Sequence, residues 1–232
     1  MRDPLIASLL AIDTATDALS VAVGVDGHVR FAAHQRRKRG HAEALVPLMA
    51  TALTAAGLKA SDLSAVAVTI GPGTFTGVRI GLAAARGLRL ACGIPLTGVT
   101  TLELMAHTAA RRWPDRPVMA ALDARRDQVY AQYFRRGDGP YAEAWSAPAA
   151  LSAAGAAAML NPGSVIVGSG AALIAGHLET PSTMTVAEVW PDAADMIGLV
   201  SERPLTGANA PAPKPVYLRA PDAVPARPIL NL

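Results

Sequence analysis

The chain has 232 residues, enough for one large domain or two small ones, and 51% of them are apolar, so it can bury a core of that size. A net charge of +3 is too weak to indicate nucleic-acid binding unless the cations cluster. The one cysteine, Cys92, excludes an internal disulfide framework and a cysteine-ligated metal site, and fits a reducing compartment.

No apolar run approaches the ~18 residues of a membrane span, so no membrane association is expected. The run before Ile12 imitates a signal-peptide core, but Asp13 and the pattern after it read as strands. Residues 9–13 are predicted as a short buried strand. Leu19, Val21, Val23 and Val25 alternate with Ser20, Ala22 and Gly24, which predicts a half-buried strand. Asp26-Gly27 is a hairpin turn, and residues 28–33 return from it. Arg36-Arg-Lys-Arg39 is the one evident cation cluster. It reads as a solvated loop, with contact to a partner or an RNA backbone as the alternative. Residues 41–57 form a helix with Leu45, Val46, Leu48, Met49 and Leu53 on its apolar side. Pro47 allows a start nearer Val46, where proline would occupy the first turn.

A strand over 66–70 leads through Gly71-Pro-Gly-Thr-Phe-Thr-Gly77 into a helix over 76–90. At about 100° per residue, Arg79, Arg86 and Arg89 share an arc of about 80°, with Leu82 the one large apolar residue among them. The remaining arc, above about 200°, is apolar or small, whereas a surface helix on a sheet uses about 100°. Gly77, Gly81, Ala84, Gly87 and Ala91 form a stripe of small residues. Each interior glycine costs a helix about 1 kcal/mol, so another backbone is expected to come close. That backbone belongs either to this chain's own packing or to the helix of a partner subunit. The partner-interface candidates are Leu45, Met49, Gly77, Ile80, Gly81, Ala84 and Leu88.

The glycine loop resembles a phosphate cradle, because N–H groups at a helix start attract anions. It is not a Walker loop, since no Gly-Lys-Ser/Thr follows. A tight turn and close packing would account for its glycines equally well. Asp13, Thr14, Gly71, Gly73 and Thr74 are the candidates for a vestigial nucleotide or phosphate loop, and Thr74 or Thr76 is the helix cap.

A strand over 96–99 and a helix over 100–111, capped by Thr100 or Thr101, complete the first half. The pattern then restarts. Ala121-Leu-Asp-Ala-Arg-Arg-Asp-Gln-Val129 can be laid on Ala11-Ile-Asp-Thr-Ala-Thr-Asp-Ala-Leu19 at an offset of about 110 residues. Val129, Ala131 and Tyr133 alternate as before, Gly137-Asp-Gly139 marks a hairpin-like turn, and Val165-Ile-Val-Gly168 echoes Val66-Ala-Val68. The repeated order of elements implies two related α/β halves with mixed sheets and flanking helices. We divide them as 1–113, carrying the dimerisation helices, and 114–232, smaller, Ala-rich at 147–160 and proline-rich from Pro204. Asp13 and Asp123 would face each other across the cleft between such halves, where paired carboxylates can hold a divalent cation or act as acid and base.

Asp13-Thr-Ala-Thr16, Gly71-Pro-Gly-Thr-Phe-Thr-Gly-Val-Arg-Ile-Gly81, Gly93-Ile-Pro-Leu-Thr-Gly-Val-Thr-Thr-Leu102, Leu122-Asp-Ala-Arg125 and Pro215-Val-Tyr-Leu-Arg219 together resemble the TsaB family. Its members are the dimerisation subunits of the bacterial tRNA threonylcarbamoyladenosine machinery. The resemblance implies a duplicated RNase-H-like, actin-like ATPase fold. It implies a scaffold in the cytoplasm that binds and activates a TsaD-like transferase, works with a TsaE-like ATPase, and meets tRNA through the complex; when alone, the chain is either a homodimer or a monomer. ATP and a metal ion are then expected on the partner subunits and no cofactor on this chain. The reaction is transfer of threonylcarbamoyl to N6 of the adenosine following the anticodon in ANN-decoding tRNAs.

The resemblance also implies that no residue of this chain is catalytic and that it binds no metal. The paralogous TsaD family carries a His-x-x-x-His metal pair where this chain reads Thr101-Leu-Glu-Leu-Met105, and His107 nearby is alone, as a helix-surface residue. Actin-like ATPases place glycine in the first hairpin, where this chain has Ala15. There is no Gly-x-Ser-x-Gly elbow, and Cys92, beside an apolar helix end, reads as core. A nucleotide hydrolase or metallopeptidase-like enzyme of the same superfamily is the alternative.

Overall fold

Two sheets of like topology carry the fold of this computed structural model, which describes residues 6–136, 142–201, 203, 205 and 207–219. In the first sheet, β1 (Ser8–Thr16), β2 (Ala18–Val25) and β3 (His28–Arg36) form an antiparallel meander. Strands β4 (Ala65–Thr69) and β5 (Leu96–Val99) add in parallel on the other side of β1, in the order β3-β2-β1-β4-β5. In the second sheet, β6 (Val118–Asp123) pairs antiparallel with β7 (Gln128–Arg136), which also pairs with β8 (Ala142–Ala144) and β9 (Ala149–Ser152). Strands β10 (Val165–Val167) and β11 (Thr185–Ala187) extend it in parallel, giving β11-β10-β6-β7-β8. Strand β6 therefore stands in its sheet as β1 does in the first, and β10 as β4, which is the duplication read from the sequence. The turn expected at Gly137-Asp-Gly139 lies outside the described residues.

Helices α1 (His41–Ala55) and α2 (Phe75–Cys92) cover one face of the first sheet. There Leu45, Met49 and Leu53 of α1 and Val78, Leu82 and Ala85 of α2 pack on Leu10, Ile12, Leu19, Val21, Val23, Val66 and Val68. Helix α3 (Thr101–Arg112) packs on the second sheet, with Leu102, Met105 and Ala109 against Val118, Ala120 and Phe134. Two short helices, α4 (Ala153–Ala157) and α5 (Ala171–Ala175), cover the opposite face of that sheet. Finally α6 (Ala193–Ser201) returns to the free face of the first sheet, where Met196, Ile197 and Val200 meet Leu9, Ala11, Ala22 and Ala67.

That return changes three expectations. First, β2 is not half-buried: it is buried on both faces up to Gly24, because α6 occupies the side the alternation left to solvent. The small residues there are the seat of the helix. Ser20 Oγ accepts the Ala193 N–H at 2.9 Å, and a β-carbon at Gly24 would run into the Ile197 side chain. Second, α6 and residues 207–217, placed by the sequence division in the second half, lie against the first. Third, His107 is buried rather than on the helix surface, since α6 packs on that side of α3. Burial lowers its pKa, Asp195 acts in the opposite sense, and Arg111 and Arg203 lower it further.

Helix α1 starts at His41 and keeps Pro47 inside it. The start is held by the ring of His41, whose Nε2 lies 3.2 Å from the carbonyls of both Thr16 and Ala18. The hydrogen bond that proline removes falls on the exposed side of the helix, where Glu43 and Pro47 both meet solvent.

Candidate functional site

The segment between β4 and α2 is stitched to the first hairpin by backbone. Thr74 caps α2 by accepting the Gly77 N–H on Oγ1 at 3.2 Å, and its own N–H donates to the Ala15 carbonyl at 2.7 Å. A β-carbon at Gly73 would collide with that same Ala15 carbonyl, and one at Gly77 with the carbonyl of Thr14. One at Gly81 would stand 2.6 Å from Thr14 Oγ1, which itself donates to the Gly77 carbonyl at 2.7 Å. The loop glycines thus serve close packing, and the Thr74 amide at the helix start is already donated to Ala15.

Of the five residues proposed for a phosphate loop, Gly73 and Thr74 reach the cleft between the halves. Thr14 is committed to Gly77, and Gly71 is buried beside the Val216 carbonyl, where a β-carbon would come within 2.8 Å of it. Asp13 is wholly buried. Its Oδ1 accepts from Thr69 Oγ1 at 2.6 Å and from the Ala15 N–H at 3.2 Å, while Oδ2 has no partner. Burial raises its pKa to about 7, against the lowering effect of those two hydrogen bonds. The expected pair across the cleft does not form: Asp123 lines the cleft and Asp13 lies behind its wall.

The cleft has a volume of about 680 Å³. On one side stand Ala15, Thr16 and Asp17 of the first hairpin, with Gly73, Thr74 and Phe75 of the glycine loop. The other side is the equivalent hairpin of the second half, residues 122–126, with Tyr130, Ser169, Trp190 and Arg219. In that hairpin Arg125, Arg126 and Asp127 have φ of 66°, 56° and 56°. Three successive side-chain-bearing residues in the left-handed region cost of order 1 kcal/mol each. The turn is held by Asp123 Oδ1, which accepts the Arg125 N–H at 2.7 Å, and by the Ala124 N–H donating to Gln128 O at 2.8 Å.

Arg79, Arg86 and Arg89 share one face of α2, as their spacing predicts, and that face carries the C-terminal segment. Arg79 Nε donates to Tyr217 Oη at 3.1 Å, Arg86 to the Pro213 carbonyl at 2.6 Å, and Arg89 to the carbonyls of Ala208 and Ala210. The Val216 N–H adds a bond to the Ile70 carbonyl at 2.7 Å. Arg219, further along the same segment, donates to the Ala124 carbonyl at 2.9 Å and to the Gln128 side chain, joining the strap to the second hairpin.

The basic run 36–39 is more than a solvated loop. Arg36 sits over the Trp190 ring, 3.8 Å from its centroid, and pairs with Glu188. Lys38 and Arg39 line a side groove of about 350 Å³ that shares Thr16, Asp17 and Thr74 with the main cleft. Sequence reasoning missed Phe75, Tyr130 and Trp190 as cleft residues and assigned no role to Arg219, although Arg219 closes one of the quoted motifs. No local pattern marks Trp190.

The interface candidates divide. Leu45 and Met49 are buried against the first sheet, and Gly77 and Gly81 are buried because the first half of the small-residue stripe faces β1. Ile80, Ala84 and Leu88 are half-buried. Beyond them α1 and α2 present an outward surface of Ala42, Val46, Ala50, Ala83, Gly87 and Leu90, with Val46 63% and Leu90 88% exposed. Nothing stands within 4 Å of a β-carbon built at Gly87.

Thr101 and Met105, the positions of the absent imidazole pair, are buried in α3. Among the described residues no group of three or more His, Cys, Asp and Glu is placed to hold a metal ion, and no helix is long and apolar enough to cross a membrane.

A family model described as "TsaD: tRNA N6-adenosine threonylcarbamoyltransferase" matches residues 34–187. The TsaB protein of Escherichia coli, named for tRNA threonylcarbamoyladenosine biosynthesis, is 45% identical over 132 residues, which is 56% of this chain and 57% of that protein, little more than half of its length. An uncharacterized protein of Mycobacterium bovis is 36% identical over 227 residues, 95% of each chain. A crystal structure from Pseudomonas aeruginosa, described as an uncharacterized protein with similarity to peptidase YeaZ, superposes with a TM-score of 0.81 at 30% identity, covering 92% of this chain and 100% of that one. With its two mixed sheets, its glycine-loop packing and a family match over most of its length, the chain belongs to the TsaD-type tRNA N6-adenosine threonylcarbamoyltransferase family, as a TsaB-like member.

Proposed function

We infer that the chain is a non-catalytic subunit of a tRNA threonylcarbamoyladenosine-forming assembly, which docks on a TsaD-like transferase and activates it. The transferase would modify N6 of the adenosine 3′ to the anticodon in ANN-decoding tRNAs, in the cytoplasm, with a TsaE-like ATPase as third subunit and with ATP and metal on the partners. The observation that carries the reading is the outward face of α1 and α2. Two neighbouring helices present Val46, Leu90 and a field of Ala and Gly, with Glu43 and the strap-facing arginines at its margins. Small residues across such a face admit close helix–helix approach, and the same face would serve a homodimer when the partner is absent. The cleft supports the non-catalytic part: the loop amide is occupied, Asp13 is enclosed and Ala15 fills the place of a glycine.

The test is capture of a TsaD-like transferase by the purified chain. Val46→Glu combined with Leu90→Glu should abolish capture and leave the melting temperature unchanged, since both side chains are exposed. Full capture by this variant would remove the face from the interface. ATP turnover by the isolated chain at about 1 s⁻¹ or more would restore the enzymatic alternative.

A further inference from the structure

The fold brings two basic segments far apart in sequence to one opening. Arg125, Arg126 and Arg219 line the main cleft, and Lys38 and Arg39 line the adjoining groove. The carboxylates among the same lining residues are Asp17, Asp123 and Glu43, so five cations stand against three acids in a chain whose whole net charge is +3. Asp123 is turned to its own hairpin by the Arg125 N–H. Nearby, Glu188 is paired with Arg36, and Asp127 stands 3.8 Å from His177.

Three aromatic rings line the main cleft. Phe75, at the start of α2, is 49% exposed and backed by Arg79, 3.5 Å from its ring centroid, and by Tyr217; Tyr130 lies beneath Arg219 with 6.0 Å from guanidinium to ring centroid, and Trp190 is backed by Arg36. The indole Nε1 of Trp190 is buried and has no hydrogen-bond partner. The hairpin that offers Arg125 and Arg126 holds them in left-handed backbone, a strain that persists where the surroundings enforce a particular presentation of side chains.

We propose that the cleft and its side groove bind a single-stranded RNA segment directly, with phosphates on the Lys38–Arg39 and Arg125–Arg126 rims and bases against Phe75, Tyr130 and Trp190. A basic channel interleaved with aromatic rings is the chemistry that holds unpaired bases and their backbone together. A duplex fits it poorly, since paired bases do not present their faces to side chains. A lone nucleotide in the actin-like manner fits it poorly too, because the Thr74 amide is taken by Ala15 and the cations are spread over two pockets. The choice of RNA over DNA rests on the reading of the chain as part of a tRNA-modifying assembly; the stacking and charge do not.

The experiment is fluorescence anisotropy of a labelled single-stranded RNA of about ten nucleotides, titrated with the full chain at several salt concentrations. Binding should weaken with salt, with a slope of log K against log salt near −0.7 per phosphate contacted. Arg125→Gln with Arg126→Gln should weaken binding about tenfold or more and flatten that slope by about one unit or more. Lys38→Gln with Arg39→Gln should act likewise from the other rim. Phe75→Ala should weaken binding about fivefold or more with the slope unchanged. Arg30→Gln with Arg112→Gln, remote from the cleft, should change neither, and thermal melting should show all four variants folded.

No binding at low salt would overturn the proposal. So would equal affinity for a blunt RNA duplex, or a remote pair that flattens the slope as much as the cleft pairs do. Transferase capture is read on the α1 and α2 face, so an unmodified chain that captures the transferase but binds no RNA sinks this inference and leaves the scaffold reading standing.

Discussion

Thr14 donates its Oγ1 hydrogen to the Gly77 carbonyl at 2.7 Å, and its own carbonyl oxygen occupies the place where a β-carbon at Gly77 would go. Helix α2 is thereby seated on β1 backbone to backbone. At Gly77 the second backbone that the glycine stripe requires is the chain's own, and at Gly81 the space is taken by side chains of Thr14, Val68 and Ile12.

Substitutions in that seat should therefore act on folding. Gly77→Ala meets a main-chain carbonyl that cannot step aside, and Gly81→Leu must displace Thr14 Oγ1 and the Val68 side chain. Each should lower stability by about 1–3 kcal/mol or more, seen as an earlier midpoint in urea denaturation. A Gly81→Leu chain of unchanged midpoint would show that α2 is not seated as described.

Asp13 makes stability depend on pH with a definite sign. Its pKa is about 7 in the folded chain, above the ordinary 3.8, so between those values the folded state keeps a proton that the unfolded state has lost. Stability is greatest below about pH 4 as far as this group is concerned, and falls as pH rises towards 7, by at most about 1.4 kcal/mol per pH unit. Asp13→Asn cannot titrate, so its stability should be flatter across that window. Parallel profiles for the two chains in urea melts from pH 4.5 to 7.5 would refute the assignment.

The strap over α2 depends on Arg89, which reaches two carbonyls of the C-terminal segment. A hydrogen bond to a charged donor contributes about 1.5–3 kcal/mol. Arg89→Ala should raise amide exchange about tenfold or more at Val216, whose N–H bonds to Ile70, while exchange in β1 stays as it was. Unchanged exchange at Val216 would mean that the strap is held by its other contacts.

Ser20→Ala leaves the buried Ala193 N–H at the start of α6 without its acceptor. The expected cost is about 1–2 kcal/mol in the urea midpoint, with transferase capture unaffected because α6 lies on the opposite face of the sheet from α1 and α2. A Ser20→Ala chain that lost capture and kept its midpoint would contradict that layout.

Much of the architecture is legible in local pattern. The alternation at 19–25, the glycine turn, the arginine arc of α2 and the repeat of 11–19 at 121–129 all record nearest-neighbour geometry, in which period, turn chemistry and offset suffice. The same pattern misled at β2, where small residues read as a solvent face are the bed of α6, 173 residues away in sequence. His107 is hidden from local pattern for the same reason, since α6 packs on α3.

The candidate site divides along the same line. Local pattern is enough for the fold class, for Thr101 and Met105 where the resemblance would put a His pair, for Ala15 in the first hairpin, and for a helix with more apolar surface than one layer needs. Which part of that surface faces inward emerges from the folded chain, because a glycine cannot declare whether the backbone it admits is its own or another's. Folding also brings Lys38 and Arg39 to one opening with Arg125, Arg126 and Arg219: a cleft is a relation between segments far apart in the chain, and its charge and stacking surface exist only once both halves have closed around it.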